Sequence, residues 1–203
     1  MDPYRAQHER RLSWMPWLYD RLKPAQAAWA RPWQAELQAA IAAVEQVRFG
    51  DDVFVAPSAR LFAEPHRDIV VGDGCRIAAE AFLHGPITLG RRVGLNPRVH
   101  LDGGAAGITV GDDTRIAAGC KLYAFDHGFA PDRPVREQPV RSRGIRVGKD
   151  VWLGADVGVT DGVTIGDHVV VGMGAVVTRD LPDWSVAVGN PARVIGDRRT
   201  LGG

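Results

Sequence analysis

Residues 147–182 read VGKDVWLGADVGVTDGVTIGDHVVVGMGAVVTRDLP. Every sixth residue is aliphatic: Val147, Leu153, Val159, Ile165, Val171 and Val177. Four positions after five of these six beats stands a small or β-branched residue (Val151, Val157, Val163, Val169, Ala175), and glycine recurs one position after, at Gly148, Gly154, Gly166 and Gly172. A period of six fits neither the 3.6-residue turn of an amphipathic helix nor the two-residue alternation of a simple strand. It fits short strands that bend every six residues, with the aliphatic and small positions inward and glycine relieving the backbone at the bend. Three such sides close a triangular coil of about 18 residues. Stacked coils bury their apolar rings against one another in three parallel sheets, with strands roughly 4.8 Å apart.

The same beat runs upstream through Val71, Ile77, Leu83, Leu89, Leu95 and Leu101, skips three residues, and resumes at Val110, Ile116 and Leu122. Five coils follow: 71–88, 89–109, 110–146, 147–164 and 165–182. Val55 and Leu61 look like the same beat, offset by inserted residues. The chain thus predicts an all-β solenoid, a parallel β-helix over residues 51–182, with external loops near 103–105 and over 124–146. Cys75 and Cys120 fall in inward slots, where a thiol serves as a small apolar filler.

The flanks differ. In residues 1–50, Trp33, Leu37, Ile41 and Val44 recur at helical spacing, with Pro32 placed for a first turn and Gly50 beyond the end. SWMPWLYDRL (13–22) is a shorter helical segment broken by Pro16, and four of the six tryptophans (Trp14, Trp17, Trp29, Trp33) lie in this region. The expectation is an apolar helical cap on the open end of the solenoid or on a neighbouring subunit, with membrane-surface or partner docking as the sharper alternative. Residues 183–203, marked by Pro182 and GNP, read as a closing turn and tail.

The formal net charge of +1 over 203 residues gives no electrostatic case for a nucleic-acid partner. No apolar run is long enough for a transmembrane segment, and no secretory signal is visible, so the expected location is cytoplasmic.

The regular chain has its long interruption at LYAFDHGFAPDRPVREQPV (122–140). DHGF, the run 147–182 and VGNPARVI (188–195) together resemble the hexapeptide-repeat acyltransferases, in the branch of the sugar, maltose and galactoside O-acetyltransferases and the polysaccharide-modifying acetyltransferases. The likeness covers about residues 53–196. It implies a left-handed β-helix, a homotrimer with sites between subunits, and an acyl-CoA donor, usually acetyl-CoA, with no metal. Matched residue by residue, it implies His127 as the catalytic base and Asn96 on the acceptor side. Trp152, Ala155, Met173, Thr178, Arg179 and Arg193 fall on cofactor-contacting positions. Asp126, Pro134 and Gln138 resemble the polysaccharide-modifying branch, with Asp126 and Gln138 facing the acceptor. Ala155 stands where the sugar enzymes carry serine, and Arg98 where they carry a second asparagine.

The residues support that chemistry in their own right. Acyl transfer from a thioester to a hydroxyl needs a base for the hydroxyl proton, and imidazole suits that task near neutrality. His127 sits in an outward slot where the coil opens into the loop, and Asp126 or a backbone carbonyl is placed to orient its ring. No serine or cysteine nucleophile stands beside it, which favours direct attack in a ternary complex. Trp152 occupies the same outward slot of its own hexapeptide and wants cover, from a cofactor arm or a subunit. Arg179 and Arg193 suit phosphate. In the loop, Arg136 and Arg141 join Gln138 as groups for an acceptor's hydroxyls or acidic groups. His8, His66 and His168 read as solvated; His84 and His100 lie on the coils.

Two other readings share the fold. A γ-class carbonic anhydrase needs three histidines around one zinc, a pattern that His84, His100 and His127 do not give. A non-catalytic scaffold would use the solenoid and its Trp-rich cap for assembly alone.

Overall fold

The computed structural model describes residues 4–201. Its body is a parallel β-solenoid of six turns built from three sheets. The first holds Val47–Phe49, Ile69–Val71, Ile87–Leu89, Ile108–Val110, Ile145–Val147 and Thr164–Ile165. The second holds Phe54–Val55, Arg76–Ile77, Gly94–Leu95, Arg115–Ile116, Trp152–Leu153 and Val170–Val171, and the third Arg60–Phe62, Phe82–His84, His100–Asp102, Lys121–Tyr123, Gly158–Val159 and Val176–Val177. Every aliphatic beat from Val71 to Val177 is buried, and so are Cys75, Ala81, Val93, Val99, Cys120, Val151, Val157, Val163, Val169 and Ala175 four positions after their beats.

The glycines one position after the beat have a different purpose from the expected one. None of Gly72, Gly90, Gly111, Gly148, Gly154, Gly166 or Gly172 has a positive φ. They permit close stacking instead: a Cβ on Gly72 would lie 2.5 Å from the carbonyl oxygen of Gly90 on the next coil. Left-handed backbone at the bends falls mostly on other residues, among them Arg92, Asp113, Asp150 and His168.

The solenoid begins earlier than residue 51, because Val47–Phe49 already pairs with Ile69–Val71 and supplies a sixth turn. Before it come helix α1 (Arg5–Trp14), a 3-10 helix (Pro16–Arg21) and helix α2 (Pro24–Ala42). Pro32 lies inside α2 rather than opening it, and Pro24 takes the first-turn position where the missing N–H costs nothing. The face turned to the solenoid runs through Ala30 and Gln34, while Val44 is exposed. Gln34 donates to the carbonyl of Val55 at 3.0 Å and accepts its N–H at 2.7 Å, and Gln38 donates to the carbonyl of Val53 at 2.8 Å. The cap therefore satisfies an edge strand that would otherwise present bare backbone groups.

Arg76 ties the cap down: its guanidinium meets Asp20 at 2.5 Å and Asp52 at 2.8 Å, and lies 4.9 Å over the Tyr19 ring. At the other end the chain does not trail away as a tail. Ser185–Val188 joins the second sheet in parallel, and Arg193–Asp197 returns antiparallel to it. His168, expected to be solvated, holds this end: its ring stacks on Trp184 with centroids 4.0 Å apart, and Nδ1 lies 2.9 Å from Asp150. Arg198 bonds the same carboxylate at 3.0 Å.

Candidate active site

The third sheet leads into the interruption of the repeat. After Lys121–Tyr123 the chain leaves the coil, and Asp126–His127 pairs antiparallel with Val140–Arg141, opposing Asp126 to Arg141 and His127 to Val140. Between them Val135–Glu137 forms one 3-10 turn. The excursion is thus a two-stranded ribbon, rigid at its base.

Three side chains hold it. Gln138 donates to the carbonyls of Ala130 and Arg133, both at 2.9 Å, and accepts the Ala130 N–H at 2.7 Å. Ser142 donates to the Ala124 carbonyl at 2.5 Å and accepts the N–H groups of Ala105 and Ala106 at 3.0 and 2.9 Å, joining both external loops. Asp161, 3 % exposed, accepts the N–H groups of Arg143 and Gly144 where the ribbon rejoins the solenoid. Gly144 has φ +89°, a conformation that disfavours any other residue.

These braces frame a cleft of about 630 Å³ lined by Asp126, His127, Phe129, Gln138, Arg141 and Asp161, among others. His127 is exposed, and its ring packs edge-on to Phe125 with centroids 6.1 Å apart. Phe125 packs in turn on Tyr123. Among the described residues neither Asp126 nor a carbonyl is hydrogen-bonded to the imidazole, and aromatic packing and the ribbon backbone place it. Gln138 lines the cleft, and its amide hydrogens and oxygen bond the loop's own backbone. Arg141 forms no ion pair among the described residues, and Phe129 is 85 % exposed.

The other matched residues lie elsewhere. Asn96 and Ala155 follow strands of the second sheet, and Met173 follows the next one up; Trp152 projects from that sheet and is 56 % exposed. Ala155 borders a larger groove of about 1150 Å³ shared with Arg98, His100 and Asp156. Thr178 and Arg179 follow the last strand of the third sheet, on the edge from which the ribbon leaves two turns below. Arg193 lies on the final antiparallel strand, exposed, with its guanidinium bonded to the Ala192 carbonyl. One chain thus brings together His127, Asp126 and Gln138, and holds Asn96, Trp152, Ala155 and Met173 on another face.

Sequence reasoning missed Ser142, Asp161 and Phe129. The available signal for Asp161 was TDG (160–162), a turn triplet whose acid the coil geometry buries. His84 and His100 are engaged away from the cleft: His84 lies between Glu64 at 3.0 Å and Asp102 at 3.3 Å, and His100 faces the Tyr123 hydroxyl at 3.4 Å. Among the described residues no three His, Cys, Asp or Glu side chains converge as a metal cage.

With this geometry in view, known proteins are informative. Residues 144–179 match the family described as the hexapeptide repeat of succinyl-transferase. The chain is 33% identical over 132 residues to the putative lipopolysaccharide biosynthesis O-acetyl transferase WbbJ of Escherichia coli, covering 60% of this chain and 66% of that one. This chain belongs to the hexapeptide-repeat acyltransferase family. A probable acetyltransferase of Mycobacterium tuberculosis, Rv3034c, is 39% identical over 93 residues, 45% of this chain and 31% of its own length. The hexapeptide-repeat chain therefore spans about a third to two thirds of these curated relatives. Among solved structures, AntD, an N-acyltransferase from Bacillus cereus in complex with dTDP and 3-hydroxybutyryl-CoA, superposes with a TM-score of 0.71 at 27% identity, covering 83% of this chain and 91% of AntD.

Proposed function

We propose that the protein is an acyl-CoA-dependent acyltransferase, most simply an O-acetyltransferase, that acts on a hydroxyl of a sugar or glycan precursor with His127 as general base. The observation that carries this reading is an exposed imidazole, seated by Phe125 and a braced ribbon, at the mouth of a cleft. In the reaction His127 takes the acceptor's hydroxyl proton as the oxygen attacks the thioester carbonyl. The tetrahedral intermediate collapses with loss of the CoA sulfur, and the imidazolium returns the proton to it. The donor is acetyl-CoA, and Arg141, which forms no ion pair among the described residues, stands beside the acceptor.

A homotrimer completes the site. In one chain, the His127 cleft and the face bearing Asn96, Ala155 and Met173 are separate, and Trp152 and Met173 are left 56 % and 78 % exposed. Apposing the two faces of neighbouring copies covers these side chains and gives the pantetheine arm an apolar wall. Arg179 and Arg193 then serve the CoA phosphates. Such an enzyme works in the cytoplasm, where its donor is made.

Acetyl-CoA should raise the melting temperature of the wild-type chain, and Trp152→Ala should abolish most of that shift. No shift in the wild type would leave the solenoid a scaffold. The likeness to AntD supports a second reading, transfer to an amine, because His127 can deprotonate an ammonium-derived nucleophile in the same place. Turnover with amino-sugar nucleotides and none with hydroxyl-only sugars would select it.

A further inference from the structure

The first part of the chain carries a charge pattern that acyl transfer does not use. Residues 4–31 hold six Arg or Lys and two Asp or Glu, a larger positive balance than the +1 of the whole chain. Both acids are already engaged: Glu9 by Arg5 at 2.8 Å, and Asp20 by Arg76 at 2.5 Å. Arg10, Arg11, Arg21 and Lys23 are exposed and form no ion pair among the described residues. Helix α1 sorts its faces accordingly. Arg5, His8, Glu9 and Leu12 form the half-buried to buried stripe, and at 100° per residue the opposite stripe is Gln7, Arg10, Arg11 and Trp14. Trp14 and Trp17, on either side of the buried Pro16, are 43 % and 48 % exposed.

We propose that this cap is a membrane-docking surface: Arg10, Arg11, Arg21 and Lys23 meet the phosphates of an anionic bilayer while Trp14 and Trp17 seat their indoles at the headgroup level. Unpaired cations are attracted to anionic lipid, and indole, apolar with one N–H, prefers the interface between headgroup and chain. Two exposed indoles beside the cations favour lipid over another polyanion, for which charge alone would serve. The helices lie on the surface and do not cross it; no helix among the described residues is long and apolar enough to span a membrane. Docking would hold the solenoid beside acceptors carried on lipid, and it stands or falls independently of the acyl-transfer reading.

The test is co-sedimentation of the full chain with phosphatidylcholine vesicles, with and without phosphatidylglycerol, at low and high salt. The expected result is binding that requires phosphatidylglycerol and disappears at high salt. The double variant Arg10→Glu, Arg11→Glu should bind at least about tenfold more weakly, and Trp17→Ala should weaken binding at unchanged net charge. All three positions are exposed, and a melting curve matching the wild type confirms that each variant folds. Absence of binding to the anionic vesicles, equal binding by the double variant, or binding to heparin without binding to vesicles would each overturn the proposal.

Discussion

The Asp161 carboxylate accepts the backbone N–H of Arg143 through both oxygens, at 2.8 and 3.0 Å, and so fixes the point at which the His127 ribbon rejoins the solenoid. The carboxylate is buried, and its further partners are the Gly144 N–H at 2.9 Å and the Arg143 Nε at 3.2 Å. Removing it orphans two backbone donors at the base of the loop.

Asp161→Ala should therefore cost about 1–3 kcal/mol of stability in denaturant titration. It should also lower acyl-transfer turnover far more than it weakens acetyl-CoA binding, because the loop carries His127 and not the cofactor face. Equal losses in both would mean that the brace serves the whole fold and has no special hold on the ribbon.

The two cysteines should be inert in the folded protein. Burial pushes both thiols up to about 11, and each S–H donates 3.0 Å to a carbonyl, Cys75 to Gly90 and Cys120 to Gly154. A disulfide reagent near neutral pH should leave both unmodified until denaturant is added, then titrate two thiols. Fast labelling of the native protein would contradict their place in the core.

The clip at the end of the chain should loosen in acid. The hydrogen bond from His168, with Arg198 adding its charge, holds the Asp150 carboxyl below its ordinary value of 3.8. A lowered native value gives stability that is fully present above 3.8 and is lost as pH falls through the native value. Wild type should therefore melt above Asp150→Asn near neutrality, with the gap closing only in strong acid. A gap that closed between pH 5 and 7 would contradict a lowered Asp150 carboxyl.

Much of the solenoid was legible because one physical constraint repeats. An inward position every six residues must be apolar and another must be small, so Val71 through Val177 declare their burial unaided. The ends were less legible, since each is an exception to the repeat. Gln34 is a polar residue buried to satisfy an edge strand, and Pro32 sits inside a helix that Pro24 opens. At the site, position and motif single out His127, but the roles of neighbouring polar residues depend on partners distant in sequence. Gln138, matched to the acceptor side, also bonds Ala130 and Arg133, and Ser142 and Asp161, which no motif singles out, anchor the loop. Hydrogen-bond satisfaction across a loop is a property of its closed geometry, which periodicity does not encode.

The central claim is that His127 moves the acceptor's proton. The direct measurement is release of CoA thiol from acetyl-CoA in the presence of an accepted sugar, comparing wild type with His127→Ala and His127→Asn. Both variants should lose roughly a hundredfold to ten-thousandfold in kcat. They should still bind acetyl-CoA, as shown by an unchanged ligand-induced rise in melting temperature. Turnover within a fewfold of wild type in either variant would contradict the assignment and leave His127 an exposed residue of the loop.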